Sequence, residues 1–322
     1  MFSWNDVPKP IIALSPMADM SDSPFCIVAK ELGAEVMFRE MVSSEAIVRN
    51  SEKTLRMAAF DERERPLIQQ LFGGNARTMA EAAAIIEERY HPDGFDINMG
   101  CPVYKIVSNF NGSALMRDPV RAAEIVREMK KVIRGPLSVK IRLGWKEKTD
   151  CLEFAKRLEE AGADLITVHG RTKEQGYSGV ADWEMIGEVK KQVSIPVLCN
   201  GDIHKPELVK KALEISGCDG VLIARGCLGN PWFFKQAREY LEFGEIKTVV
   251  DIHERIRVMK RHAQLHVEHY GERGMHTFRK HISWYLKPLL VPKELKEKFM
   301  RVVSLAEFDG WCEELRLSAV ER

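Results

Sequence analysis

The sequence predicts an α/β fold, a (β/α)8 TIM barrel followed by a C-terminal all-helical domain. Three observations predict it. Eight short apolar runs, rich in Val and Ile, end in polar or glycine residues between positions 11 and 226. Amphipathic stretches separate most of them. Past about residue 245 the strand-like runs stop and helical patterns continue alone. Strands that are apolar throughout are buried on both faces, as in a parallel sheet. Eight strand–helix units in ~215 residues close into a barrel. An open doubly wound sheet is the alternative, but no GxGxxG follows the first run.

The runs are IIALSPMA (11–18), EVMFREM (35–41), PLIQQLFG (66–73), GFDINMGCP (94–102), PLSVKIRLG (136–144), DLITVHGRT (164–172), IPVLCNGDI (195–203) and GVLIARG (220–226). Helical patterns fill 76–90, 118–133 and 151–162. In the last, Leu152, Ala155, Leu158 and Glu159 recur at helical spacing, and Gly162 supplies a stop. Residues 251–270 read as one long helix, 275–290 and 292–304 as two more, and 305–317 as a short last one. The domains expected are 1–244 for the barrel and 245–322 for the helices.

Composition narrows the function. A hydrophobic content of 45% in 322 residues supports a full core. Lys and Arg number 48 against 47 Asp and Glu, which argues against a wholly basic nucleic-acid binder but leaves room for a local patch. The start, MFSWNDVPKP, does not read as a signal peptide. No run approaches the ~18 apolar residues of a membrane span. The cysteines are Cys26, Cys101, Cys151, Cys199, Cys218, Cys227 and Cys312. An odd count without a CxxC pair fits neither a disulfide framework nor a zinc site, so a cytoplasmic protein without metal is expected. No protein-partner signal is evident, and a monomer is expected.

A barrel carries its chemistry at the C-terminal ends of its strands. The run ends deliver Pro16-Met17-Ala18, Glu40, Gln70, Asn98 to Cys101, Lys140 to Arg142, His169 to Arg171, Asn200 to Asp202 and Ala224-Arg225-Gly226. Charges buried without partners are costly, so Lys140, His169 and Arg171 point to a ligand. Asn200-Gly201-Asp202 and Ala224-Arg225-Gly226, at consecutive strand ends, suit a phosphate held by backbone N–H groups and Arg225. A glycine after a strand is more often only a turn, so the pairing carries the weight. Gln70 can donate and accept, as an isoalloxazine edge requires. Lys140 can place a cation beside a ring that gains charge on reduction. A salt bridge at the mouth and a Schiff-base lysine are its alternatives. A satisfied loop histidine is the alternative for His169.

Cys101, in NMGCP, lies in a loop over the mouth. The loop continues through VYKIVSNFNGSALM and is expected to be long and mobile. An unperturbed thiol titrates near ~8.5 and stays mostly protonated at neutral pH. It can therefore act as a positioned general acid. A packing cysteine is the plain alternative.

PMADMSDSPF, QLFGG, DINMGCPVYK, VKIRLGW, TVHGRTKEQGYSG, CNGDI and ARGCLGNPW resemble, in order and spacing, the bacterial tRNA-dihydrouridine synthases, and the likeness continues into RKHISWYLK. The resemblance implies an FMN-dependent enzyme with NADPH as reductant and tRNA as substrate. It implies that Pro16, Met17 and Ala18 line the flavin, and that Gln70, Lys140 and His169 hold its ring and ribityl portion. Asn200, Gly201, Asp202, Ala224 and Arg225 would hold the ribityl chain and phosphate. Cys101 would be the proton donor. Asn98, Arg171 and Tyr177 would contact the uracil. The sequence departs from the usual pattern at Ala18-Asp19 and at Tyr104.

Residues 247–301 carry 13 basic and 6 acidic side chains, and six of the nine histidines fall in the C-terminal part. A charge run is usually a solvated helix face. Beside a near-neutral barrel, this one is expected to contact the tRNA backbone through Lys260, Arg261, Arg279 and Lys280. A non-catalytic RNA-binding module and another phosphate-binding barrel enzyme are the remaining readings.

Overall fold

The computed structural model describes residues 2–318 and 320–321. Eight parallel strands close into a barrel in sequence order. They are β1 (Ile11–Leu14), β2 (Met37–Ser43), β3 (Leu67–Phe72), β4 (Gly94–Met99), β5 (Leu137–Arg142), β6 (Leu165–His169), β7 (Val197–Asn200) and β8 (Gly220–Ile223). Closure comes from β1 pairing with β8, where Ile11 faces Gly220 and Leu14 faces Ile223. Trp4, Phe38, Leu198 and Leu222 belong to a cluster separate from the larger core that the outer helices cover.

The outer layer follows from the helical patterns. The helices are α1 (Ser23–Glu31), α2 (Ala76–Tyr90), α3 (Pro119–Lys130), α4 (Asp150–Glu160), α5 (Trp183–Gln192), α6 (Glu207–Ser216) and α7 (Phe233–Phe243). Two shorter helices, Ser44–Val48 and Glu52–Ala58, replace a single one between β2 and β3. In α2, Asn75 caps the first turn by accepting from the Thr78 N–H, and Met79, Ala82, Ala83 and Ile86 form the buried stripe. In α4 the buried stripe is Cys151, Phe154, Ala155 and Leu158. The expected stripe through Leu152 and Glu159 is thus one position off, because Phe154 takes the core side. Glu159 turns outward and accepts from the Ser194 N–H at 2.8 Å. Gly162, at φ +106°, ends the element as expected.

Beyond the barrel stand α8 (Ile252–Tyr270), α9 (Met275–Leu286), α10 (Lys293–Arg301) and α11 (Leu305–Ser318). Their core is a second cluster containing Met259, Phe278, Ile282, Phe299 and Phe308. Ile27 and Val28 of α1 join it, so the barrel shares a core with the helices. The region departs from the all-helical expectation in one detail: β9 (Leu289–Leu290) pairs antiparallel with β10 (Val320–Glu321). That ribbon closes the segment between α9 and α10, where Pro288 and Pro292 interrupt helix.

Candidate active site

A cavity of about 1330 Å³ opens at the C-terminal ends of the strands. The turn after β1 brings Pro16, Met17 and Ala18 to its wall. That turn is held by the Met17 N–H donating to Ser21 Oγ at 2.7 Å and the Asp19 N–H donating to Glu40 at 2.9 Å. Gln70, Lys140, His169, Asn200, Gly201, Asp202, Ala224 and Arg225 line it from the other strand ends, with Asn98, Cys101, Arg171 and Tyr177. Arg279 and Lys280 are not among its lining residues.

A chain of hydrogen bonds crosses β3, β4 and β5 beneath this wall. Asn98 donates to Gln70 Oε1 at 2.9 Å, and Gln70 donates to Asp96 Oδ2 at 2.6 Å. Ser138 donates to the other Asp96 oxygen at 2.6 Å. Burial pushes the Asp96 carboxyl up to about 6. Asn98 Oδ1 in turn accepts the backbone N–H groups of Gly100 and Cys101, at 3.2 and 2.9 Å. Asn98 therefore fixes the turn carrying Cys101. Asp96 is not among the site residues expected from the sequence, although a buried acid two positions before Asn98 in the strand run GFDINM was its signal.

Six cysteines are buried and only Cys101 is partly exposed. Its carbonyl accepts from the N–H and the hydroxyl of Ser113, at 3.1 and 2.9 Å. The loop behind it is more structured than expected. It holds a helical turn, Tyr104–Val107, and a 3-10 helix, Gly112–Arg117. Val103 and Tyr104 stand exposed at its tip.

The opposite wall is cationic. The Lys140 side chain makes no ion pair or hydrogen bond among the described residues; burial and then Arg142 lower its ammonium to about 8. Arg142, named among the run ends but given no role there, is fully enclosed and donates to the carbonyls of Gly100, Thr172 and Gly176 at 2.7, 2.9 and 2.8 Å. It ties the Cys101 turn to the loop after β6. Arg171 donates to Asp202 Oδ1 and Oδ2 at 2.9 and 2.7 Å, and to the carbonyls of Ser178 and Gly179. Its guanidinium is committed to holding that loop, and the Asp202 carboxylate is committed to Arg171 and the Ala181 N–H. The Tyr177 ring lies over Arg142 and Arg225, 5.5 and 5.1 Å from their guanidinium carbons. Burial, then Lys140, Arg142, Arg171 and Arg225, holds the His169 imidazole well below its ordinary value, so it is neutral.

Gly201 closes this wall tightly. Its φ is +116°, and an added Cβ would come within 2.9 Å of the His169 ring. Arg225 is exposed and has no ion-pair partner among the described residues. Two unpaired cations, a neutral imidazole and the backbone after β7 and β8 suit a large anionic ligand with a polar ring edge. A phosphate-bearing flavin fits this donor set.

The family model described as dihydrouridine synthase matches residues 12–321. The chain belongs to the dihydrouridine synthase family. The tRNA-dihydrouridine synthase B of Pseudomonas aeruginosa is 37% identical over 313 residues, which are 97% of this chain and 93% of that protein. A probable tRNA-dihydrouridine synthase of Rickettsia bellii is 40% identical over 278 residues, 85% of each chain. Among solved structures, histamine dehydrogenase from Rhizobium sp. 4-9 superposes with a TM-score of 0.58 at 12% identity, covering 79% of this chain and 49% of that one. At that identity the likeness shows the barrel fold alone. Membership in the dihydrouridine synthase family makes this barrel an oxidoreductase and removes the Schiff-base and non-catalytic readings.

Three of the C-terminal charges expected to meet tRNA have partners within the protein. Arg279 donates to the carbonyls of Arg301 and Val302 at 2.9 and 2.6 Å, capping the end of α10. Lys260 pairs with Asp309 and Glu313, and Arg261 with Glu31. His262, His266 and His281 are buried, and burial pushes all three imidazoles down, so they add no positive charge. The helical region does reach the cavity, through Trp284 and Lys287 of the RKHISWYLK stretch and through Pro288. Lys287 lies over the Trp284 ring at 4.9 Å. Among the described residues, no helix is long and apolar enough to cross a membrane.

Proposed function

We propose that this chain reduces uridine in tRNA to 5,6-dihydrouridine, with FMN at the barrel mouth, NADPH as the electron source and Cys101 as the acid. Bound flavin supplies the hydride for C6 of the uracil. Lys140 and Gln70 hold the ring edge, since one offers a cation and the other an amide pinned by Asn98 and Asp96. Arg225 and the backbone after β7 and β8 hold the phosphate. Cys101 delivers the proton to C5, and its thiolate recovers a proton from solvent. The uridine leaves the tRNA stack to reach this depth, because a base within a folded helix cannot enter a barrel mouth.

The observation that carries the reading is the placement of Cys101. It is the partly exposed cysteine among six buried ones, and it stands on the cavity wall in a turn fixed by Asn98, Arg142 and Ser113. Cys101→Ala tests it. Flavin content and flavin reduction by NADPH are expected to be unchanged. Single-turnover oxidation of the reduced enzyme by tRNA is expected to slow by roughly 10²–10⁴-fold, the usual contribution of a positioned general acid. Equal rates within a few-fold would remove Cys101 from the role. Serine is expected to rescue little, because a hydroxyl is a far weaker acid.

A further inference from the structure

Asp22, His262, His266 and His281 meet where the barrel joins the helices, apart from the cavity. Each offers a ligand atom, and these atoms lie within 4.8 Å of one another. All four residues are buried, with 1, 0, 0 and 2% of their surface exposed. His262 Nε2, His266 Nδ1 and His281 Nε2 have no hydrogen-bond partner. Three orphaned ring nitrogens facing one carboxylate are costly for a packed core, since each buried polar atom needs a partner.

The proton positions sharpen the point. Thr277 Oγ1 donates to the Gly274 carbonyl at 2.9 Å, so its hydrogen is used. It therefore accepts from His266 Nε2, 2.8 Å away. That places the His266 proton on Nε2 and leaves a lone pair on Nδ1. This lone pair faces Asp22 Oδ2 at 3.6 Å. Two electron-rich atoms meet there, and a cation between them removes the conflict.

We propose that Asp22 Oδ2, His262 Nε2, His266 Nδ1 and His281 Nε2 bind a single zinc ion that staples the helical region to the barrel. Three imidazoles and one carboxylate are a familiar zinc donor set, with bonds of about 2.0–2.2 Å that require the atoms to close in by roughly 1 Å. The outer partners are already in place. Tyr285 OH lies 3.2 Å from His262 Nδ1, and Thr277 holds His266 Nε2. Asp22 Oδ1 accepts the Phe25 N–H at 3.2 Å, and Tyr270 OH donates to Oδ2 at 3.3 Å. Such partners orient metal ligands and set their tautomers. Lys280 bears electrostatically on all four groups, but it is half-buried and pairs with none of them. His262 and His266 share one face of α8, His281 comes from α9, and Asp22 caps α1. The cysteine spacing that argued against a metal says nothing about this set.

The test uses the full chain with any affinity tag removed, grown with added zinc and purified without chelator. Elemental analysis is expected to give about one zinc per chain. Stripping the metal is expected to lower the melting temperature by several degrees, as loss of a native-state ligand does. Cobalt(II) added to the stripped protein is expected to give the visible bands of a tetrahedral site. Asp22→Asn, which keeps the helix cap, and His266→Phe, which keeps the ring, are each expected to lose the zinc while retaining bound flavin. Zinc absent from the wild type together with no tetrahedral cobalt spectrum overturns the proposal, as does stoichiometric zinc that persists in both variants.

Discussion

Asp96 shows what a single buried side chain contributes. It anchors the bonds that end at the Cys101 turn, yet its carboxyl is raised from 3.8 to about 6 by burial. The folded protein thus holds a proton that the unfolded chain releases between these values. Stability from this group is greatest where it is neutral, below about pH 4, and falls as pH rises through about 6. Asp96→Asn is neutral throughout. We expect it to flatten the decline in unfolding free energy between about pH 4 and pH 7 by about 2–3 kcal/mol. Denaturant titrations at stepped pH measure this.

At the scale of an element, α10 ends on Arg279. Lysine and arginine stabilise a helix C-terminus by bonding its last carbonyls. Here the guanidinium makes those bonds from a different helix and so locks α9 to α10. Arg279→Ala is expected to cost about 1–3 kcal/mol of stability, because it leaves terminal carbonyls without their charged donor. The salt dependence of tRNA binding is expected to stay the same. A reduced salt slope with unchanged melting temperature would instead make Arg279 a phosphate contact. The segment from Cys101 to Arg117 follows the same logic: Ser113 anchors it at Cys101 while Tyr104 is left free at the tip.

At the scale of the molecule, the cavity is shared. The barrel supplies the strand ends, and the helical region supplies Trp284 and Lys287. The approach is close enough that a Cβ on Gly229 would come within 2.3 Å of the Trp284 backbone. Lys287 makes no ion pair among the described residues and stands beside the mouth. It is placed to meet a phosphate of tRNA engaged there. Lys287→Glu is expected to weaken tRNA binding and to reduce the slope of log affinity against log salt by about 1. Flavin reduction by NADPH is expected to be unaffected. Binding measured across a salt series separates this from a loss of fold.

The sequence by itself determined the barrel, because strands buried on both faces must be apolar throughout and parallel strands need helical crossovers. It also brought Gln70, Lys140, His169 and Arg225 to one cavity, because a barrel opens the C-terminal halves of its strands and the loops after them on one face. Cys101 was legible for the same reason. Only the tertiary structure decided which charges are free. Arg171 and Arg279 look alike in a sequence to Lys287 and Arg225, but the first two are consumed by carboxylates and carbonyls from distant segments. The histidines of α8 and α9 read as surface charge by composition, whereas folding buries three of them against Asp22. Hydrogen bonds between residues 31 or 248 positions apart have no local pattern, and burial decides whether a side chain keeps its charge.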